Sequence, residues 1–486
     1  MSDYELVVAG GTVVTASDVF RADVGIIGER IVAVGLDLKG ERRIEADGLL
    51  VMPGGVDSHC HIEQLKEAGG ADEETWISGS TSALAGGTTS VITFSTQFKG
   101  GGILKPLAEY RRRASQAMVD YSFHQIISDA SDEVILNEIP EAVASGIRSL
   151  KVFLTYEDAH ISDRDFLRVL AAARHHGLLV TVHCENYEAI NWRTAALLAA
   201  GHVEPKYHAW SRPPMIEREA THRAIALAEL VDTPIQIFHV SCPEVAAEIA
   251  QAQARGLKVW GETCPQYFVL SAKDMDRPGF EGAKFMCSPS PRDAQASAGL
   301  WDMVRMGTLD VISSDHSGWG YMSPVGKRVH GTNAPFSDIP NGIPGLGSRL
   351  PLLFSEGVGK GRIDLCQFVR LTSANPAKLF GLSPRKGRIA PGADADLVLW
   401  DPKKQVTITN ALMQHTIDYT PYEGMEVTGW PVATIRRGAV AMQDGKVLAQ
   451  PGSGQFLARA PYDMIKPTGR LPFGFDASLH APPYSK

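Results

Sequence analysis

Eight short runs of apolar, largely β-branched residues recur along the middle of this chain, separated mostly by stretches of helical period. The runs are VMPGGVDSH (51–59), TSVITFS (89–95), SFHQIIS (122–128), SLKVFLTY (149–156), LLVTVHCE (178–185), IQIFHVS (235–241), LKVWGETCP (257–265) and LDVISSDH (309–316). Between most of them the apolar spacing changes to three and four, as in DFLRVLAAARHHG (165–177) and EVAAEIAQAQARG (244–256). A continuous apolar run suits a strand covered on both faces, and a strand followed by a crossover helix pairs in parallel with the next. Eight such units predict an α/β chain whose residues 54–380 close into a (β/α)8 (TIM) barrel. An open doubly wound sheet is the alternative. No Gly-x-Gly-x-x-Gly follows an early strand, which weakens a dinucleotide-binding reading.

The two ends have a different texture. VVAGGTVVT (7–15), a hairpin VGIIGERIVAVG (24–35) turning at Gly28-Glu29, and a strand pair RIEADGLLVMP (43–53) turning at Asp47-Gly48 read as β. ADLVLWD (395–401), VTIT (406–409) and ATIRRGAVAMQDGKVLA (433–449) repeat that texture late in the chain. Residues 1–53 and 381–450 are therefore expected to pair into a second, smaller β-sandwich, with the barrel inserted between them. The tail, 451–486, is rich in Pro, Gly and Ser. It reads either as a disordered terminus or as an arm packed on a neighbouring subunit.

Composition narrows the function classes. The formal charge of −8 is spread over 486 residues without a basic block, which argues against nucleic acid as a partner. The six cysteines show no CxxC pair and read as reduced, buried thiols. No signal peptide and no run of about 18 apolar residues is present, so a soluble, cytoplasmic protein with no membrane partner is expected.

Polar residues capable of holding a metal interrupt the predicted strands near their C-terminal ends: His59 and His61, Lys151, His183, His239 and Asp315. In a closed barrel these ends open on one face, so residues distant in sequence converge. Each has a plainer reading alone: a surface pair, a hydrogen-bonded core histidine, or a helix N-cap. Together, imidazoles and a carboxylate suit zinc and similar cations. Lys151 lies in an otherwise apolar strand, where burial lowers an amine's pKa. A neutral amine can add CO2 to form a carbamate able to bridge two cations; pairing with a carboxylate such as Glu185 is the alternative. Two cations sharing a hydroxide would supply a nucleophile for amide hydrolysis. Asp315 would then shuttle the proton and Tyr156 stabilise the oxyanion, although Tyr156 could equally be an ordinary rim residue.

These residues, in this order, resemble the amidohydrolase superfamily, and within it the cyclic amidohydrolases of the hydantoinase and dihydropyrimidinase family. The resemblance rests on DSHCHIE (57–63), ALAGGTTSVITF (83–94), SLKVFLTY, VTVHCEN (180–186), FHVS (238–241), GETCPQYFVL (261–270), FMCSPSPR (285–292), ISSDH (312–316), IPNGIPG (339–345), KGRIAPGADADLVLWDP (386–402) and YEGMEVTGWPVATIRRG (422–438). It implies that His59, His61 and Asp315 bind the more buried metal and His183 and His239 the more exposed one. Carboxylated Lys151 would bridge them. It further implies that Tyr156 stabilises the oxyanion while Ser288 and Asn341 hold the substrate's amide edge, largely through backbone groups. The implied metal is zinc, replaceable by manganese or cobalt. The implied substrate is a small cyclic amide, a hydantoin or 5,6-dihydropyrimidine, and the implied assembly a homotetramer or dimer. The chain departs from the family in the polar loop IEQLKEAGG (62–70), in Ser317-Gly318-Trp319 after Asp315-His316, and in Leu346-Gly347. Those changes open the specificity to other rings, as in an imidase or allantoinase-like enzyme. The full ligand set argues against the scaffold relatives that have lost metal ligands.

Overall fold

A computed structural model describes residues 3–67, 71 and 73–471. The chain begins with β1 (Tyr4–Val14), β2 (Val19–Ile27), β3 (Arg30–Gly35), β4 (Gly40–Glu45) and β5 (Leu50–Pro53). The barrel strands follow: β6 (Gly55–Asp57), β7 (Thr88–Ser95), β8 (Asp120–Ile126), β9 (Ser149–Phe153), β10 (Leu179–His183), β11 (Ile235–Ile237), β12 (Val259–Thr263) and β13 (Leu309–Ile312). The last strands are β14 (Leu397–Thr407), β15 (Glu426–Arg436), β16 (Ala439–Gln443) and β17 (Lys446–Val447).

Strands β6 to β13 pair in sequence order, every neighbour parallel. Nearly all their residues are buried, as the continuous apolar runs require. Backbone beyond β6 and β13 closes the seam. The Asp315 amide donates to the His59 carbonyl at 2.9 Å, and the His61 amide to the His316 carbonyl at 2.7 Å. Buried Arg349 ties the same two strands, donating to the carbonyls of Val56 (3.2 Å) and Ile312 (3.0 Å). The barrel closes where the first and last candidate ligands stand.

A crossover helix illustrates how the local sequence acts. In Asp163–His176 the Ser162 side chain accepts from the Asp165 amide, Asp163 and Asp165 occupy the first turn, and Gly177 ends the helix at φ +64°. Oxygen cap, acidic start and left-handed glycine stop each match an unsatisfied end of the helix. Phe166, Val169, Leu170 and Ala173 form its buried stripe.

The chain ends build one nine-stranded mixed sheet in the order β17-β16-β15-β14-β5-β1-β2-β3, with β4 also on β1. Three sequence expectations change in detail. First, 51–59 is not one strand: β5 joins the mixed sheet and β6 the barrel, parting at Gly54. A Cβ at Gly54 would lie 2.3 Å from Thr89 Oγ1, so only glycine passes there. Second, β4 and β5 are not a hairpin; both run parallel to β1, along its first and second halves. Third, 395–401 and 406–409 contribute to a single long strand, β14.

The arm packs on its own barrel as far as it is described. Tyr121 donates through its amide to the Gln455 carbonyl at 2.9 Å, and Leu457 returns a bond to the Tyr121 carbonyl at 2.7 Å. Arg459, almost fully buried, bonds Ser149 Oγ at 3.0 Å. The end of the tail, HAPPYSK, lies outside the described residues. All six cysteines are free thiols. Among the described residues no helix is long and apolar enough to cross a membrane.

Candidate active site

All nine residues singled out from sequence line one cleft of about 640 Å³ at the C-terminal rim of the barrel: His59, His61, Lys151, Tyr156, His183, His239, Ser288, Asp315 and Asn341. Their placement follows from strand geometry. Lys151 and His183 lie on β9 and β10, while His59, His239 and Asp315 stand two or three residues past β6, β11 and β13. Tyr156 (φ +71°), His239 (φ +40°) and Asp315 (φ +48°) all take the left-handed backbone region. Non-glycine residues there cost about 1–3 kcal/mol each, and such strain concentrates at functional sites.

Asp315 Oδ1 lies 3.0 Å from His59 Nε2 and 3.6 Å from His61 Nε2. These three residues offer ligand atoms all within 4.8 Å of one another. The His183 and His239 rings meet edge to face at 4.3 Å, and His239 lies 5.3 Å from His59. His239 Nδ1 is buried and has no hydrogen-bond partner among the described residues. The nearby core histidine His124 is different: Nδ1 meets Ser149 Oγ at 2.7 Å and Nε2 the Ser58 carbonyl at 2.8 Å. A buried polar atom without a partner is costly, so an open ring nitrogen beside three more imidazoles and a carboxylate is a donor set suited to divalent cations.

Lys151 is 1% exposed and makes no ion pair among the described residues. Its Nζ lies over the rings of Phe238 (4.3 Å) and Phe153 (4.8 Å). Burial lowers its pKa to about 8, against the opposing pull of Glu262 and Asp315. Glu185 does not pair with it. That carboxylate instead meets His183 Nε2 at 2.8 Å and Arg212 at 2.8 Å. Burial also pushes the His183 and His239 pKa values well down, keeping both rings neutral. It opposes charge on His59 too, but Glu262 and Asp315 outweigh it and raise that ring to about 9. For Asp315, burial works against the carboxylate; the charge of His59 and the hydrogen bonds of His59 and His61 overcome it and hold the group ionised. Burial raises Tyr156 well above the usual phenol range, so it remains a donor, in hydrogen-bond contact with Ser288.

Several supporting residues escaped the sequence reading. Glu262 Oε1 holds His59 Nδ1 at 2.6 Å, and Gln64 Oε1 holds His61 Nδ1 at 2.6 Å. In the neutral ring such bonds keep the proton on Nδ1 and turn Nε2 towards the cleft as the atom that would meet a cation. Gln64 thus braces a ring in addition to making its loop polar. Behind Asp315, His316 Nδ1 accepts from the amides of Gly345 (3.1 Å) and Leu346 (3.3 Å), so Nε2 carries the proton it gives to Glu74. That pair anchors the turn bearing Asp315. At the mouth, Lys66 Nζ sits 5.0 Å over the Trp319 ring.

Residues 50–441 match the model of the amidohydrolase family. The chain is 42% identical to the D-hydantoinase of Geobacillus stearothermophilus over 463 residues, 94% of this chain and 97% of that protein. It is 40% identical to the D-hydantoinase of Ralstonia pickettii, over 94% of this chain and 99% of that protein. Among solved structures, the dihydropyrimidinase from Brevibacillus agri superposes with a TM-score of 0.90 at 40% identity, covering 94% of this chain and 99% of that one. The L-hydantoinase from Arthrobacter aurescens gives 0.86 at 29%, covering 94% and 100%.

Proposed function

Because the chain belongs to the amidohydrolase family, and within it to the hydantoinases and dihydropyrimidinases, hydrolases of cyclic amides, we propose that it opens a hydantoin or 5,6-dihydropyrimidine ring to an N-carbamoyl amino acid. One observation carries the reading: four imidazoles, an ionised aspartate and an unpaired buried lysine share one cleft with a protonated tyrosine. The donor set fits a pair of divalent cations. His59, His61 and Asp315 would hold one, His183 and His239 the other. Lys151 would bridge them as its CO2-derived carbamate, which requires the neutral amine that a pKa of about 8 makes accessible. When bound, zinc, or manganese or cobalt in its place, supplies Lewis acidity that polarises a carbonyl and lowers the pKa of water.

The chain's own groups do the rest. Asp315 takes the proton from the attacking water and delivers it to the departing ring nitrogen. The water oxygen bonds the carbonyl carbon, the ring C–N bond breaks, and a carboxylate and an N-carbamoyl group result. The Tyr156 phenol donates to the oxygen that becomes anionic. Backbone groups at Ser288 and Asn341 hold the ring's amide edge. The mouth, where Gln64 and Lys66 are polar and Trp319 lies under Lys66, favours a second reading of the same site, an imidase or allantoinase-like enzyme. We also propose a cytoplasmic homotetramer or dimer; Trp192, Trp210 and Met215, each more than half exposed, offer apolar surface to a second copy.

A panel of dihydrouracil, 5-substituted hydantoins, allantoin and cyclic imides, assayed with metal analysis of the same preparation, tests the reading. Ring opening of a hydantoin or dihydrouracil is expected. Turnover confined to allantoin or imides selects the second reading, and turnover of none refutes both.

A further inference from the structure

Lys327 lies in the turn-rich segment that follows Asp315. Its side chain is buried to 1% exposure and makes no ion pair among the described residues. Nζ donates to the Pro340 carbonyl at 2.6 Å and to the Met286 carbonyl at 3.1 Å. The Met286 carbonyl also accepts the Gly342 amide at 3.0 Å, and the Lys327 amide closes its own loop onto the Gly320 carbonyl at 2.8 Å. One amine therefore ties two strips of backbone together. Met286 leads through Cys287 to Ser288, and Pro340 leads directly to Asn341. His208 supports the first strip from behind, through a 2.9 Å contact of Nε2 with the Cys287 carbonyl.

The residue type is informative. Burying an amine without a counter-charge is costly, and an apolar side chain of similar length would fill the space without that cost. What the lysine supplies and an apolar side chain cannot is a donor for both carbonyls at once. Neutral or protonated, the amine keeps at least two N–H donors, so both bonds survive either state.

We propose that Lys327 is a positioning residue, setting the distance between the Ser288 and Asn341 strips and so the grip on the substrate's amide edge. This rests on the reading above that those two strips hold the ring. Lys327 is not among the residues that line the cleft, so its loss should weaken substrate binding more than chemistry. Such a loss appears in KM rather than kcat.

The test compares wild type, Lys327→Met and Lys327→Gln on the best ring substrate of the panel, with bound metal and Tm measured on each. In Lys327→Met, KM should rise about tenfold while kcat stays within about threefold and the metal content holds. Lys327→Gln, which keeps two donors on a shorter side chain, should raise KM by about threefold. Wild-type KM in either folded variant overturns the proposal. So does a loss that falls on kcat together with bound metal, which marks a general structural role. A wild type that opens no ring sinks this inference along with the functional reading. A wild type that opens rings beside variants of unchanged KM sinks this inference alone.

Discussion

The two ends of the barrel bury lysines in opposite ways. At the end away from the cleft, Lys386 Nζ meets Asp120 (2.6 Å), Asp396 (2.7 Å) and Asp394 (2.9 Å), and Arg437 adds a contact to Asp120 at 3.1 Å. Burial opposes its charge, but the three carboxylates overcome that and push its pKa above the usual lysine range. At the rim, Lys151 and Lys327 are just as buried with no carboxylate paired to them, and burial brings them down to about 8 and about 7. Depth is the same; partners differ. The Lys386 network joins the barrel to the mixed sheet and is saturated by its own residues. Lys327 is spent on two backbone carbonyls, whereas Lys151 stands among imidazoles with no carboxylate paired to it, which is what a site for exogenous groups requires.

That contrast can be broken by removing one lysine at a time. Lys151→Ala should reduce turnover to background and release metal while leaving Tm nearly unchanged, with a short carboxylic acid restoring part of both. Retention of full activity and metal by that variant would dissolve the distinction. Lys386→Met should act conversely, costing about 3–5 kcal/mol of stability because it strands buried carboxylates. Denaturant melts check this, and residual folded protein should keep its KM. Between these extremes, Glu262→Gln weakens the hold on His59 and should lower metal affinity by about 10–100-fold, read by chelator competition.

The smallest effect concerns pH. Lys327 titrates near 7 when folded and near 10.4 when unfolded, so between these values the unfolded chain binds more protons. Stability should therefore rise with pH across that window, by at most about 1.4 kcal/mol per unit for one group, with the full burial cost present below it. Lys327→Met should remove this rise. Melts at pH 7 and 9 on both proteins decide it, and identical slopes would show that the amine is not desolvated as described.

Much of this arrangement was legible in the sequence because the signals are local. Apolar runs of strand length announced β6 to β13, and polar residues breaking those runs announced the rim. The supporting contacts were harder to read because some join segments hundreds of residues apart and the others form only once an irregular loop is folded. Glu262 lies 203 residues from His59, and nothing in GETCP marks it as that ring's partner. Gln64 stood out only as a departure in a polar loop; its bond to His61 appears once the loop is folded. The strand pair at 43–53 looked like a hairpin because Asp47-Gly48 is turn chemistry, but the neighbour both strands choose is β1, and turn residues cannot report that. Lys327 falls in a stretch of turns without periodicity, where a buried lysine leaves no pattern.

The rim, as proposed, is a metal-dependent centre for opening cyclic amides. Zinc titration of chelator-stripped protein, with bound metal and ring opening of dihydrouracil or a hydantoin followed together, tests it directly. The stripped protein should be inactive and recover as two equivalents per chain bind. Undiminished turnover in the stripped protein, or recovery that stays absent with both equivalents bound, would contradict it.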